Sequence, residues 1–130
     1  MTKAAAIYQF WNSFGIKAYE ENTVIDADEE GNPVEPTFPY VTYQIVTDSF
    51  DRDVYATASL WYRGESWTAI NAKTEEIAQR IGLGSAIIKC DGGRIWVKMG
   101  QPFAQNMGDE SDDLIKRKYI NVVYEFMTAY

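Results

Sequence analysis

Two runs of aromatic and β-branched residues constrain this chain more than any other stretch: Tyr40-Val41-Thr42-Tyr43-Gln44-Ile45-Val46 and Val54-Tyr55-Ala56-Thr57-Ala58-Ser59-Leu60-Trp61-Tyr62. Such residues pack well on a pleated surface, and the polar stretch between the runs reads as a turn. Strand alternation puts Val54, Ala56, Ala58, Leu60 and Tyr62 on one face of the second run. Tyr55, Thr57, Ser59 and Trp61 fall on the other. One face is apolar and the other mixed, so the pair is a half-buried antiparallel unit that needs a covering layer.

Two segments can supply that layer. In residues 3–14, Ile7, Phe10, Trp11 and Phe14 recur at helical spacing beside three alanines. Thr2 suits the N-cap and Gly15 the position just past the C-terminus. Ile70, Thr74, Ile77, Ala78 and Ile81 form a second apolar stripe over residues 68–81, with Lys73, Glu75, Glu76, Gln79 and Arg80 on its polar side. Further strands are expected at 85–90 and 94–99, joined by the hairpin signal Asp91-Gly92-Gly93, and at 114–127. Residues 16–21 suggest a short extended piece, and residues 100–113 read as irregular.

The expected fold class is therefore α+β: a mainly antiparallel sheet of about five strands with two helices packed on one face. The 130 residues suffice for a single domain with one core. The segment 22–39 is the longest without periodicity, and it is acidic and rich in Pro and Gly. It reads either as a surface arm or lid over one sheet edge, or as a solvated loop.

Chemistry is sparse. The chain has no histidine and one cysteine, Cys90. That removes the usual general base near neutral pH, every Ser-His-Asp or Cys-His scheme, and a zinc site. Asp26, Asp28 and Glu30 alternate as at the start of a calcium loop, but the twelfth position is Thr37 instead of glutamate, so a solvated charge run is the stronger reading. Gly82-x-Gly84 and Asp91-Gly92-Gly93 lack the full phosphate-loop pattern and read as a helix stop and a hairpin turn. No catalytic, cofactor-binding or metal-binding residue is assigned, and no enzyme activity is expected. The net charge of −7 opposes direct binding to nucleic acid or anionic lipid. The opening residues lack a long apolar run, and no run approaches the ~20 residues that span a bilayer. A soluble protein made in a reducing compartment is expected.

The aromatic composition reads either as a plain aromatic core or as contact with other protein surfaces, where amphipathic rings concentrate because one end is dry and the other wet. The mixed face of the central pair would carry Tyr55 and Trp61, joined by Tyr119 and Val123 of the last strand. Trp67 and Phe103 are further candidate contacts. Lys116-Arg117-Lys118 is a basic triplet in which alternation points Arg117 away from its neighbours. It reads as a device that discourages edge aggregation, as a contact for the acidic arm of a neighbouring subunit, residues Asp28, Glu29 and Glu30, or as a direct nucleic-acid contact.

Four segments carry a resemblance that covers most of the chain. They are Pro39-Tyr40-Val41-Thr42-Tyr43-Gln44, Leu60-Trp61-Tyr62-Arg63 with Ser66-Trp67, Gly100-Gln101-Pro102-Phe103-Ala104-Gln105, and Ile115-Lys116-Arg117-Lys118-Tyr119-Ile120-Asn121. They resemble small proteins encoded among the head and tail genes of long-tailed phages and prophages of Gram-positive bacteria. Element order and length are similar to those of the tail terminator and head–tail joining proteins. The resemblance implies a homo-oligomeric ring, a hexamer in that family, that caps the tail tube, stops its growth and offers a surface to the head connector. It implies a place in the virion after assembly in the host cytoplasm, with DNA only as cargo in a channel. It transfers no site residue. Another neck or connector protein, or a small acidic regulator of one host partner, remain the alternatives.

Overall fold

The computed structural model describes residues 1–23, 27–32, 34, 37–82, 86–109 and 111–130. Readings that fall on Asp26, Pro33, Glu35, Pro36, Gly84, Ser85 and Glu110 lie outside the described residues.

Helix α1 runs from Lys3–Trp11 and tightens into a 3-10 turn at Asn12–Phe14. Thr2 caps it, its hydroxyl accepting the Ala5 N–H at 3.1 Å, and Gly15 ends it at φ 81°. Strand β1 is Lys17–Glu20, β2 is Tyr40–Tyr43 and β3 is Arg52–Arg63. Helix α2 is Thr68–Gly82, β4 is Ile87–Cys90, β5 is Gly93–Gly108 and β6 is Ile115–Thr128. The chain is α+β, with one six-stranded sheet in the order β1-β2-β3-β6-β5-β4.

Every neighbouring pair is antiparallel except β1 with β2, which is parallel. The sheet is thus mixed and has six strands where about five were expected. The added strand is β1, whose Ala18 is buried beside Val41. The parallel pairing is possible because the long segment between the strands returns the chain to its starting edge.

The second departure is β5, which continues to Gly108, through the first part of the segment 100–113 read as irregular. Between the pairs Met99–Val122 and Ala104–Ile120, four β5 residues face only Asn121 of β6. This bulge absorbs Gly100 and Pro102, and Asn121 Nδ2 closes it by donating to the Pro102 carbonyl at 2.9 Å. Gly100 lies so close to β6 that a β-carbon there would stand 2.8 Å from that of Asn121. Beyond the bulge, Ala104–Gly108 pair with Lys116–Ile120.

The core lies between the helices and one alternate set of strand residues. Ile7, Phe10 and Trp11 of α1 and Ile70, Ile77 and Ile81 of α2 join Ala56, Ala58, Leu60, Ile95, Val97, Ile120, Val122, Tyr124 and Phe126 in one buried cluster. Each large side chain buried there contributes roughly 1.5–3 kcal/mol. That gain holds two helices too short to persist alone. The opposite alternate set, including Tyr55, Thr57, Ser59 and Trp61 of β3 and Arg117, Tyr119, Asn121 and Glu125 of β6, forms a second sheet face. No helix of the described chain is long and apolar enough to cross a membrane.

Candidate functional site

The β3–β6 register places Trp61 opposite Arg117, Ser59 opposite Tyr119, and Thr57 opposite Asn121. Together with Tyr40 and Thr42 of β2, these strands line a concavity of ≈ 520 Å³ on the second sheet face, with Glu21, Asn22 and Gln44 at its margin. Its rings and hydrogen bonds hold one another. Tyr40 stacks on Trp61 with centroids 6.0 Å apart and planes 14° from parallel, and Trp61 Nε1 donates to Thr42 Oγ1 at 2.9 Å. Burial, with Tyr19 nearby, pushes the Tyr40 hydroxyl above the ordinary tyrosine range, so it stays a neutral donor at physiological pH.

Arg117 is the electrostatic centre. Its guanidinium lies 4.8 Å from the Trp61 ring centroid and 5.3 Å from that of Tyr119, and its Nε donates to Ser59 Oγ at 3.0 Å. Among the described residues no carboxylate pairs with it, and its terminal nitrogens have no protein acceptor. A planar cation clamped between rings with its donors free matches a carboxylate, which a guanidinium can bind through two parallel hydrogen bonds.

The far end of the same face has the opposite character. Lys98 Nζ lies 2.8 Å from Glu125 Oε1 and 3.4 Å from Asp53 Oδ1, and 5.0 Å from the Trp96 ring. The hydrogen bond that Lys98 donates to Glu125 raises its amine above the ordinary lysine value, against an opposing effect of burial. Its stabilising effect is therefore fully present below that ordinary value and is lost as pH rises through the raised one. Between the two ends stands Tyr55, 75% exposed on a central strand.

The other half of the basic triplet points into the helical layer. Lys116 and Lys118 each place their ammonium 5.7 Å from the Trp67 ring. Lys118 is only 9% exposed, donating to Asn71 Oδ1 at 2.7 Å and also to Asn106 Oδ1. Burial lowers its amine below the ordinary lysine value, with Glu75 offsetting part of the effect. The charge on Lys118 thus costs folding stability below the lowered value, and that cost disappears as pH rises toward the ordinary one. Replacing Lys118 by Met keeps the packing on Trp67 and leaves two exposed Asn side chains to water. The expected gain is about 1 kcal/mol at neutral pH, or about 4 °C in Tm. The gain should shrink in alkaline buffer, which thermal melts across pH would measure.

The remaining candidates are dispersed. Phe103 sits in the β5 bulge and packs against the core. Asp28, Glu29 and Glu30 lie on an exposed turn of the long loop. Asp28 Oδ1 accepts the Glu30 and Asn32 N–H groups at 3.0 and 2.8 Å, and these backbone donors, Asn32 foremost, hold its carboxyl below the usual range. Gly31 follows at φ 83°, the sixth position counted from Asp26, where a calcium loop also carries glycine. Among the described residues no group of three or more His, Cys, Asp or Glu is placed to hold a metal ion. Cys90 packs partly against the core, and burial raises its thiol, which disfavours the reactive thiolate.

The structure thus joins Trp61 to Arg117 and, separately, Trp67 to Lys116 and Lys118. It adds Tyr40, Thr42 and Ser59, which residue type alone did not single out, and joins to them Tyr119, expected on the mixed face beside Trp61. Ser59 and Tyr119 were legible as members of one sheet face, but their meeting with Arg117 depends on a register between distant strands. No protein-family model and no curated protein matches this chain, so the site is interpreted from its own geometry.

Proposed function

We propose that this chain is a non-enzymatic virion structural protein: a tail terminator whose copies form a ring, cap the tail tube and help join it to the head. The observation that carries this reading is the second sheet face. It presents an exposed Tyr55, a ring-clamped Arg117 without a carboxylate partner among the described residues, and, at the other end, the carboxylates of Asp53 and Glu125 gathered on Lys98. A surface with aromatic anchors and separated charges suits contact between subunits. The four segments that resemble phage head and tail proteins supply the identity of the assembly. The absence of histidine supports a role without acid–base catalysis. The net charge of −7 suits a channel through which DNA passes without adhering.

Adding the purified protein to growing tail tubes tests the reading by negative-stain microscopy. Closed tube ends and arrested length are expected. Unchanged tube growth with no protein at the ends would overturn it. Binding to a portal-side ring instead would make the chain a neck connector. Recovery as a monomer with one host enzyme would make it a regulator.

A further inference from the structure

We infer that the Arg117 concavity is a socket for the acidic turn of a second copy of this chain, and that Glu29 and Glu30 are the carboxylates it receives. Three observations converge. Arg117 is fixed by Ser59 and by the Trp61 and Tyr119 rings, yet its terminal nitrogens have no protein acceptor among the described residues. A guanidinium ordered before binding loses little freedom when it takes a carboxylate. The turn at residues 28–31 is organised from within, because Asp28 is occupied by the backbone of Glu30 and Asn32. Glu29 and Glu30 are left exposed and without an ion pair among the described residues.

The third observation is placement. The turn follows β1, the edge strand of the sheet, in the chain, and Glu21 and Asn22, which directly follow β1, line the same concavity as Arg117. No ion pair joins Glu29 or Glu30 to Arg117 within one copy. A foreign acidic peptide would satisfy Arg117 equally, but the chain carries its own complementary turn in every copy. The contact is heterologous, one copy's turn to the next copy's socket, the kind that forms a ring when the rotation between copies closes and a filament when it does not.

The inference rests on the self-association part of the proposed function and is independent of tube capping. Sedimentation velocity over a concentration series, at low and high salt, tests it with wild type, R117E and the double variant E29K/E30K. Circular dichroism checks that each variant is folded. Wild type should associate, and more weakly at high salt. Each variant alone should associate more weakly by roughly tenfold or more. An equimolar mixture of the two variants should regain association, because both kinds of turn then find an opposite charge.

Wild type that stays monomeric throughout overturns the inference, as does R117E that associates like wild type. A mixture of folded variants that recovers nothing also overturns it. A monomeric wild type that binds tail tubes through Arg117 would assign the socket to a foreign acidic segment and equally overturn it. Intact self-association without tube capping would count against the terminator reading and leave the socket standing.

Discussion

Replacing Trp11 by alanine should remove about 4–8 kcal/mol of folding stability. The Trp11 side chain is 0% exposed and ties helix α1 to the two sides of the core. Its ring meets Phe10 edge-on at 5.0 Å and lies nearly parallel to Tyr43 at 6.4 Å. Its Nε1 donates to the Tyr124 hydroxyl at 2.8 Å, a polar link inside the buried core. Burial holds the Tyr124 hydroxyl far above its ordinary value, so it remains neutral and needs that partner. Truncation removes the ring contacts, opens a cavity and orphans a buried hydroxyl. The first two effects cost about 3–5 kcal/mol, and the third adds about 1–3 kcal/mol. Small domains have only about 5–15 kcal/mol to lose. Trp11→Phe keeps most of the ring volume and should cost about half as much. Urea unfolding followed by far-UV circular dichroism checks both. A Trp11→Ala midpoint close to wild type would show that α1 is not needed for the core.

Gly93→Ala should be nearly as damaging, for a backbone reason. Gly93 opens β5 at φ 154°, and a β-carbon there would lie 2.1 Å from the Met127 carbonyl oxygen and 3.1 Å from Thr128 Cα. Backbone cannot retreat as a flexible side chain can, so either the β4–β5 turn or the end of β6 must move. Strain and overpacking together are expected to cost about 3 kcal/mol or more. Gly64→Ala is the control, since a β-carbon at Gly64 meets nothing within 4 Å and its φ is ordinary. That change should stay within about 0.5 kcal/mol. Parallel urea melts of the two variants separate the close approach at Gly93 from any general effect of losing glycine.

The elements that were legible in the sequence are those whose signal is local and long. The Ile70, Thr74, Ile77 and Ile81 spacing marks α2, and Thr2 and Gly15 bracket the first helical segment because capping depends on nearest neighbours. Strand β1 escaped clear assignment for the opposite reason. It has four residues, one of them buried, and its parallel partner begins twenty residues later. The second half of β5 was hidden by Gly100 and Pro102, which read as breakers and instead mark a bulge. Lys118 shows two signals in conflict. Its alternation with Ile120, Val122 and Tyr124 put it on the core face, whereas its charge argued for solvent, and periodicity prevailed. The Arg117 socket needed more than either signal. Alternation put Thr57, Ser59 and Trp61 together, but only the pairing of β3 with β6 shows which cation they surround.

Hydroxyl-radical footprinting of the wild-type protein at low and high concentration tests most directly whether the second sheet face is where copies meet. Labelling of Tyr55, Trp61 and Tyr119 should fall as concentration rises, while Tyr8, 44% exposed on α1, should label equally throughout. Labelling at all three face residues that stays constant while the protein associates would place the interface elsewhere and contradict the proposed role of this face.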